Sequence, residues 1–298
     1  MAAGSASAEA SLYVVATPIG NLGDVTLRAL EVLRSVPLVA AEDTRVARRL
    51  LARYEISTPL VSYHARSGPR RTDELLERLR AGDDVAIVTD AGTPGVSDPG
   101  EELVARWASE GGRVVPVPGA SAVLAAVAAS GIAGPRWSFE GFLPRSGRER
   151  RERIARIAGD DRGSILFERP DRLAGTLADL AAAGGPDRPA VVGREMTKVH
   201  EEIARGSLGE LEERARSGAI VSRGEAVIVV GATPGRARTA TSPGAATSVS
   251  DARATVDRLV DGGMRRSAAA ARVAAETGLP RRDLYAARPE MPLDPTAR

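Results

Sequence analysis

The chain reads as two α/β domains of similar build with a ligand cleft between them, followed by a small helical unit resembling a helix-turn-helix. Three observations lead there. Apolar β-rich runs alternate with helical patterns from residue 12 to about 130, the order of a mostly parallel sheet covered by helices. A second block of strands and helices follows with no linker before it. Three times, an apolar run gives way to a Gly- or Pro-rich loop that opens a helix: ATPIGNLGD after Leu12–Val15, VTDAGTPGVSDPG after Val85–Val88, and VPGASA after Arg113–Val117. Such loops present backbone N–H groups to a ligand at the carboxyl end of parallel strands, so three of them point to one crevice.

In the first block the expected strands are 12–16, 36–41, 60–62, 85–89 and 113–117. Asp24 is read as the cap of a helix carrying Leu27, Leu30 and Leu33. Asp43 or Thr44 starts the next, with Val46, Leu50 and Leu51, and Thr72 a third, with Leu75, Leu76 and Leu79. Asp98 has the character of an N-cap, with Pro99 at the first helical position and Glu101 completing a capping box. Residues 121–130 form an apolar helix ending at Gly131. In the second block the strands are 164–168, 189–193 and 226–231, with 137–140 and 202–206 less marked, and a helix spans 171–183.

The expected organisation is a disordered leader over 1–11, a first α/β domain over 12–124, a second over 125–231, a linker over 232–250 rich in Ala, Thr, Ser, Gly and Pro, and a helical domain over 251–298. In the last, 251–261 is a short amphipathic helix, and 265–287 gives two helices around a turn at 278–280. Arg265, Arg266, Arg281 and Arg282 stand at the two helix starts, an arrangement suited to nucleic acid.

Composition narrows the chemistry. The chain has 298 residues, 43% apolar, with no apolar run near the roughly 20 residues a membrane span needs. There is no signal-peptide pattern, and a cytoplasmic location is expected. Without cysteine, disulfides, thiol catalysis and thiolate metal sites are excluded, and two histidines leave no His-rich metal site. The net charge of +2 argues for no particular partner, but its make-up is uneven: Lys198 is the only lysine beside 40 arginines. An amine can deprotonate when desolvated, whereas a guanidinium stays charged. Neither GxGxxG nor GxxxxGK[ST] occurs, so neither a dinucleotide fingerprint nor a P-loop is supported.

LYVVATPIGNLGDVTLRALEVL, AAEDTR, VTDAGTPGVSDPG, VPVPGASA, FEGFLPR, REMTK and RGEAVIVV, in that order, resemble the ribosomal RNA small-subunit methyltransferase I family, within the tetrapyrrole methylases. The resemblance runs from residue 12 to about 231 and resumes at 265–287. It implies S-adenosylmethionine as methyl donor, bound between the α/β domains, and no metal. It implies 2′-O-methylation of a cytidine ribose in the decoding region of 16S rRNA in the small ribosomal subunit, by a homodimer. Its rivals are another tetrapyrrole-methylase-type enzyme with a small-molecule or protein substrate, and a donor-binding RNA-associated factor without catalysis.

Particular residues follow. Asp90, at the end of a buried strand, is placed to accept hydrogen bonds from the donor or to shape the loop as an Asx turn. Pro18, Ala91, Gly92, Thr93, Ser121, Ala122, Phe167, Met196, Ala226 and Val227 complete the expected donor site. In AAEDTR, Glu42 or Asp43 is a candidate to take the hydroxyl proton or orient the ribose, and Asp43 equally suits a helix cap paired with Arg45. Lys198, in REMTK, is a candidate base or phosphate anchor. Arg45 and the Arg-rich stretch 143–157, with Arg145, Arg148 and Arg151, are the expected RNA contacts. The stretch FERPDR departs from the family pattern, an aromatic-Glu-x-x-His-Arg sequence: Asp171 stands in place of the His, and Arg169 is also unusual.

Overall fold

The structure, a computed structural model, describes residues 10–232, 249–277 and 279–285. Residues 1–9 of the expected leader and 233–248 of the expected linker lie outside the described residues. Ala10 is buried and Ser11 begins the first strand, so ordered structure starts just before residue 12. The chain divides into two compact units, one carrying two sheets and the other the C-terminal helices.

The first sheet has the order β3-β2-β4-β1-β5 and is parallel throughout: β1 (Ser11–Val15), β2 (Leu38–Ala41), β3 (Leu60–Ser62), β4 (Val85–Val88) and β5 (Arg113–Val117). Every residue of β2 and β4 is buried because helices cover both faces. Val39, Ala41, Ala86 and Val88 pack with α1 (Leu27–Ser35) and α2 (Thr44–Arg53) through Leu30, Leu33, Leu50 and Leu51. Their neighbours in sequence, Leu38, Ala40, Val85 and Ile87, point the other way, to α3 (Gly68–Arg80) and α4 (Glu101–Ser109).

Three helix starts differ from the sequence reading. Asp24 sits in a single 3-10 turn, and Thr26 caps α1, its hydroxyl accepting Ala29 N–H at 3.1 Å. Thr72 lies buried inside α3, which begins four residues earlier because Pro69 favours the first turn. Asp98 caps nothing: α4 begins after Gly100, whose φ of 136° turns the chain where a residue with a side chain would be strained. Asp43 and Ser121 are caps as read.

The second sheet has the order β6-β7-β10-β8-β9 and is mixed. β6 (Trp137–Phe142) runs parallel to β7 (Gly163–Glu168), while β8 (Pro189–Arg194), β9 (Glu202–Ser207) and β10 (Ala226–Val230) pair antiparallel. One face packs on α6 (Gly147–Gly159), α7 (Leu173–Gly184) and α8 (Leu208–Arg216). The other receives α5 (Ala122–Ser130) together with Ile19, Ala91, Val96 and Ala120 from loops of the first sheet. This shared apolar seam joins the second sheet to the loops of the first. The expected domain limit at 124/125 falls inside α5.

In the C-terminal unit, α9 (Val249–Asp261), α10 (Arg266–Thr277) and α11 (Arg281–Tyr285) enclose Val256, Ala269, Ala270, Val273 and Leu284.

Candidate active site

In the first sheet β1 lies between β4 and β5, so the three Gly/Pro loops leave adjacent strands at one end. They are lashed together. Thr17 N–H donates to Gly92 O at 2.8 Å and Gly92 N–H returns to Thr17 O at 3.1 Å, while Thr17 Oγ1 donates to Thr89 O at 3.0 Å. Ala16 N–H reaches Val117 O at 3.1 Å. Gly92 has φ of 83°, a conformation glycine takes without strain, and this lets it pair with Thr17 through both backbone groups. This is the crevice beyond the carboxyl ends of parallel strands at which ligands of open α/β sheets bind.

The second sheet closes it. Between the loops and the ends of β6, β7, β8 and β10 lies a cavity of about 410 Å³. Of the expected donor site, Asp90, Ala91, Gly92, Thr93, Ser121, Ala122, Phe167, Met196, Ala226 and Val227 all line it, as does Glu42. Phe167 forms an aromatic corner with Phe139 and Phe142, at centroid distances of 4.9 and 5.5 Å. Pro18 does not line the cavity; it is buried under its loop, and the next residue, Ile19, reaches the wall.

The wall is acidic. Asp90 N–H donates to Glu42 Oε2 at 3.3 Å, and Asp90 Oδ1 accepts Asp43 N–H at 3.0 Å, so the β2 and β4 ends are cross-tied. Burial raises the carboxyls of both Glu42 and Asp90 above their usual range, against the pull of these backbone N–H groups. Asp98 is pushed up to about 7, by burial first and then by Glu42, Asp90 and Glu225.

Two expected catalytic residues stand off the wall. Asp43 faces away, its carboxylate capping α2 at Arg45 N–H (2.8 Å) and pairing with the Arg45 guanidinium at 2.6 Å. Those bonds hold its carboxyl at about 2, too weak a base for a ribose hydroxyl. Lys198 lies behind the wall, its ammonium 2.9 Å from both Glu195 Oε1 and Glu225 Oε2. Burial favours loss of its proton, but the two carboxylates outweigh burial and raise its pKa. The turn that carries it is strained, with Glu195 at φ 48° and Thr197 at φ 68°.

The sequence reading missed Asp98, Ser97, Phe142, Glu168, Arg169, Gly224 and Glu225 on the wall. Asp98 looked like a helix cap, and only the turn at Gly100 separates the two roles. Glu225 precedes an apolar strand with no local sign of its partner, Lys198, 27 residues earlier. In FERPDR, Glu168 is buried and accepts Thr176 Oγ1 at 2.5 Å, with Arg172 3.4 Å away. Arg169 and Asp171 pair at 3.0 Å on the exposed side.

Among the expected RNA contacts, Arg45, Arg145, Arg148, Arg151, Arg265, Arg281 and Arg282 are exposed. Arg45 is tied to Asp43, Arg148 to Glu152 at 2.5 Å and Arg282 to Asp283 at 3.5 Å. Arg281 also donates to Ser267 O at 3.1 Å. Arg266 is half-buried and bound to Asp257 at 2.5 Å, joining α10 to α9. Within α6, Arg150 is buried against Asp179 and Thr176, and Arg153 is held by the carbonyls of Glu140 and Phe142.

Residues 11–212 match the family described as Tetrapyrrole (Corrin/Porphyrin) Methylases. A protein of Synechocystis sp. named Ribosomal RNA small subunit methyltransferase I is 44% identical over 278 residues, which cover 92% of this chain and 95% of that protein. The chain belongs to the ribosomal RNA small subunit methyltransferase I family. Solved structures of other tetrapyrrole methylases share its fold. A cobalamin biosynthetic enzyme, cobalt precorrin-4 methyltransferase, superposes with a TM-score of 0.58 at 22% identity, covering 74% of this chain and 94% of that one. Uroporphyrin-III C-methyltransferase from Thermus thermophilus, complexed with S-adenosylhomocysteine, gives 0.54 at 22% identity, covering 74% and 97%. In FERPDR, Asp171 and the exposed Arg169 pair with each other, and Glu168 and Arg172 pair beside them.

Proposed function

We propose that this chain transfers a methyl group from S-adenosylmethionine to the 2′-hydroxyl of a cytidine ribose in the decoding region of 16S rRNA, with the small ribosomal subunit as substrate. The observation that carries the reading is the match, over nearly the whole of both chains, to a relative named for methylating small-subunit ribosomal RNA.

The cavity suits the donor on its own chemistry. Its volume lies in the range of small-molecule sites. Gly92 leaves room that a Cβ would fill, with only Ile19 Cγ2 at 3.6 Å and Ala120 O at 4.0 Å near it. Ala91, Thr93, Ser121 and Ala122 offer backbone N–H groups, and Phe167, Met196, Ala226 and Val227 offer apolar contact. Glu42 and Asp90 supply negative charge in a partly dry setting, where it offsets a cation more strongly than in water. Bound there, S-adenosylmethionine supplies an electrophilic methyl group on a positively charged sulfur. The chain's part is to hold that group in line with the acceptor oxygen, exclude water through the Phe142–Phe167 corner, and accept the acceptor's proton.

Lys198 acts in this reading as a fixed cation rather than a base, holding the Glu225 wall in place. The exposed Arg145, Arg148 and Arg151 on and before α6, and Arg265, Arg281 and Arg282 of the C-terminal helices, contact RNA phosphates. The low aromatic content, 3%, suits shape and phosphate recognition of a folded particle better than base stacking. The enzyme works in the cytoplasm, as a homodimer that widens the RNA surface. No helix among the described residues is long and apolar enough to cross a membrane.

The test is transfer of labelled methyl to small subunits from cells lacking this gene, with naked 16S rRNA and 70S particles in parallel. Label on one decoding-region cytidine ribose supports the reading; donor binding without any labelled RNA refutes it.

A further inference from the structure

A second, smaller cavity of about 290 Å³ opens beside the first. Its walls are the loop after β3, with Tyr63, His64 and Ala65, the start of α3 through Thr72, and the residues leading into α4. Asp98 alone belongs to the walls of both cavities. Its carboxylate makes no hydrogen bond or ion pair among the described residues, whereas Glu42 and Asp90 each accept a backbone N–H. Its aim is set by the backbone. Ser97, just before it, is held at φ 64°, with its Oγ only 3.1 Å from where a Cβ on Gly141 would sit, and Gly100 follows at φ 136°. An unpartnered acid on the partition between two cavities, next to the strained Ser97, has no structural task that accounts for it.

We propose that the second cavity receives the acceptor nucleoside of the RNA and that Asp98 is the residue that takes its hydroxyl proton. This rests on the methyltransferase reading above, and it adds where the acceptor enters and which group serves as base. In the step, a lone pair of the ribose oxygen forms the O–CH₃ bond as the S–CH₃ bond breaks. That electron pair stays on sulfur, which becomes a neutral thioether, and the hydroxyl proton passes to Asp98. The groups facing Asp98 are Glu42, Asp90 and Glu225 on the donor side, and His64, Glu101 and Glu102 around the second cavity. Crowding by acids and burial give a carboxyl poised near neutrality, the range in which a general base is most effective.

Three measurements on the full chain test this. The Asp98 side-chain carboxyl, followed by ¹³C NMR in the free enzyme, is expected to titrate near pH 7; a midpoint near 4 overturns the assignment. Asp98→Asn is expected to keep donor binding measurable by calorimetry, to lose at least about 100-fold in kcat at saturating donor, and to lose the rise of rate with pH on the acid side. Retention of that limb, or a kcat within tenfold, rules Asp98 out as base. Ala65→Trp, at an exposed position that fills the second cavity, is expected to raise KM for small subunits more than tenfold at unchanged donor affinity. An unchanged KM would place the acceptor elsewhere. A wild-type protein that labels no RNA is the separate failure of the methyltransferase reading itself.

Discussion

Glu195 and Lys198 form the clamp on which the far wall of the cavity hangs. One carboxylate oxygen, Glu195 Oε1, accepts both Lys198 Nζ and Glu225 N–H at 2.9 Å, and the same ammonium reaches Glu225 Oε2. Burial disfavours the Glu195 carboxylate, yet the Lys198 hydrogen bond and the Glu225 N–H hold its pKa below normal. The stem of Lys198 crosses to the first sheet and lies against Gly20, where an added Cβ would overlap Lys198 Cγ.

Lys198→Ala is therefore expected to reduce kcat/KM more than tenfold by releasing Glu225, without removing the acid limb of the pH–rate profile. Lys198→Arg is expected to recover little, because a planar guanidinium does not fit between Gly20 and the two carboxylates. Steady-state kinetics from pH 5.5 to 8.5 checks both; loss of the acid limb in Lys198→Ala would restore the lysine as base.

Gly20→Ala removes no charge and touches no ligand in this reading, but it drives the Lys198 stem out of place. Because Gly20 is exposed, the expected effect is weakened activity with little change of the urea midpoint, which kinetics and urea unfolding check.

Gly92→Ala carries two penalties. An L-residue at this φ costs about 1–2 kcal/mol, and the new methyl enters the donor cradle. Donor affinity by calorimetry should fall more than tenfold; unchanged affinity would remove the 90–93 loop from the donor site.

Asp98 also leaves a signature in stability. Its folded pKa, about 7, lies above the unfolded value, so the native state prefers the protonated form. That contribution is full below pH 4 and is lost as pH rises to 7. Asp98→Asn should therefore raise Tm relative to wild type most at pH 8 and hardly at all at pH 4, as thermal melts across that range would register.

Arg150 and Arg151 are neighbours with opposite duties. Arg150→Ala removes a buried guanidinium from the half-exposed Asp179, from Thr176 and from the Pro144 carbonyl, and is expected to cost about 1–3 kcal/mol. Arg151→Glu together with Arg145→Glu should leave the urea midpoint unchanged, weaken subunit binding and reduce its salt dependence. Equal stability losses in the two variants would refute this division.

Much was determined by the sequence alone. The alternation of apolar runs and helical patterns specified the first sheet, since strands buried on both faces must be apolar throughout and their connections must be helices. The three Gly/Pro loops located the crevice, because they leave three adjacent parallel strands at the same end. Six of the expected donor-site residues, Asp90, Ala91, Gly92, Thr93, Ser121 and Ala122, line the cavity from those loops, and Phe167, Met196, Ala226 and Val227 line it from the second sheet and its connections. What tertiary structure decided were the pairings between distant segments. Whether Lys198 is a free amine or a clamped cation depends on Glu225, which approaches only because β8 and β10 are neighbours in the second sheet. Which of six arginines in 143–157 are exposed depends on the face α6 turns to α7. Asp98 has a cap-like sequence context and a cavity-lining position. Local sequence favours the first, and the chain path through Ser97 at φ 64° and Gly100 at φ 136°, where an added Cβ would crowd Ile87, produces the second.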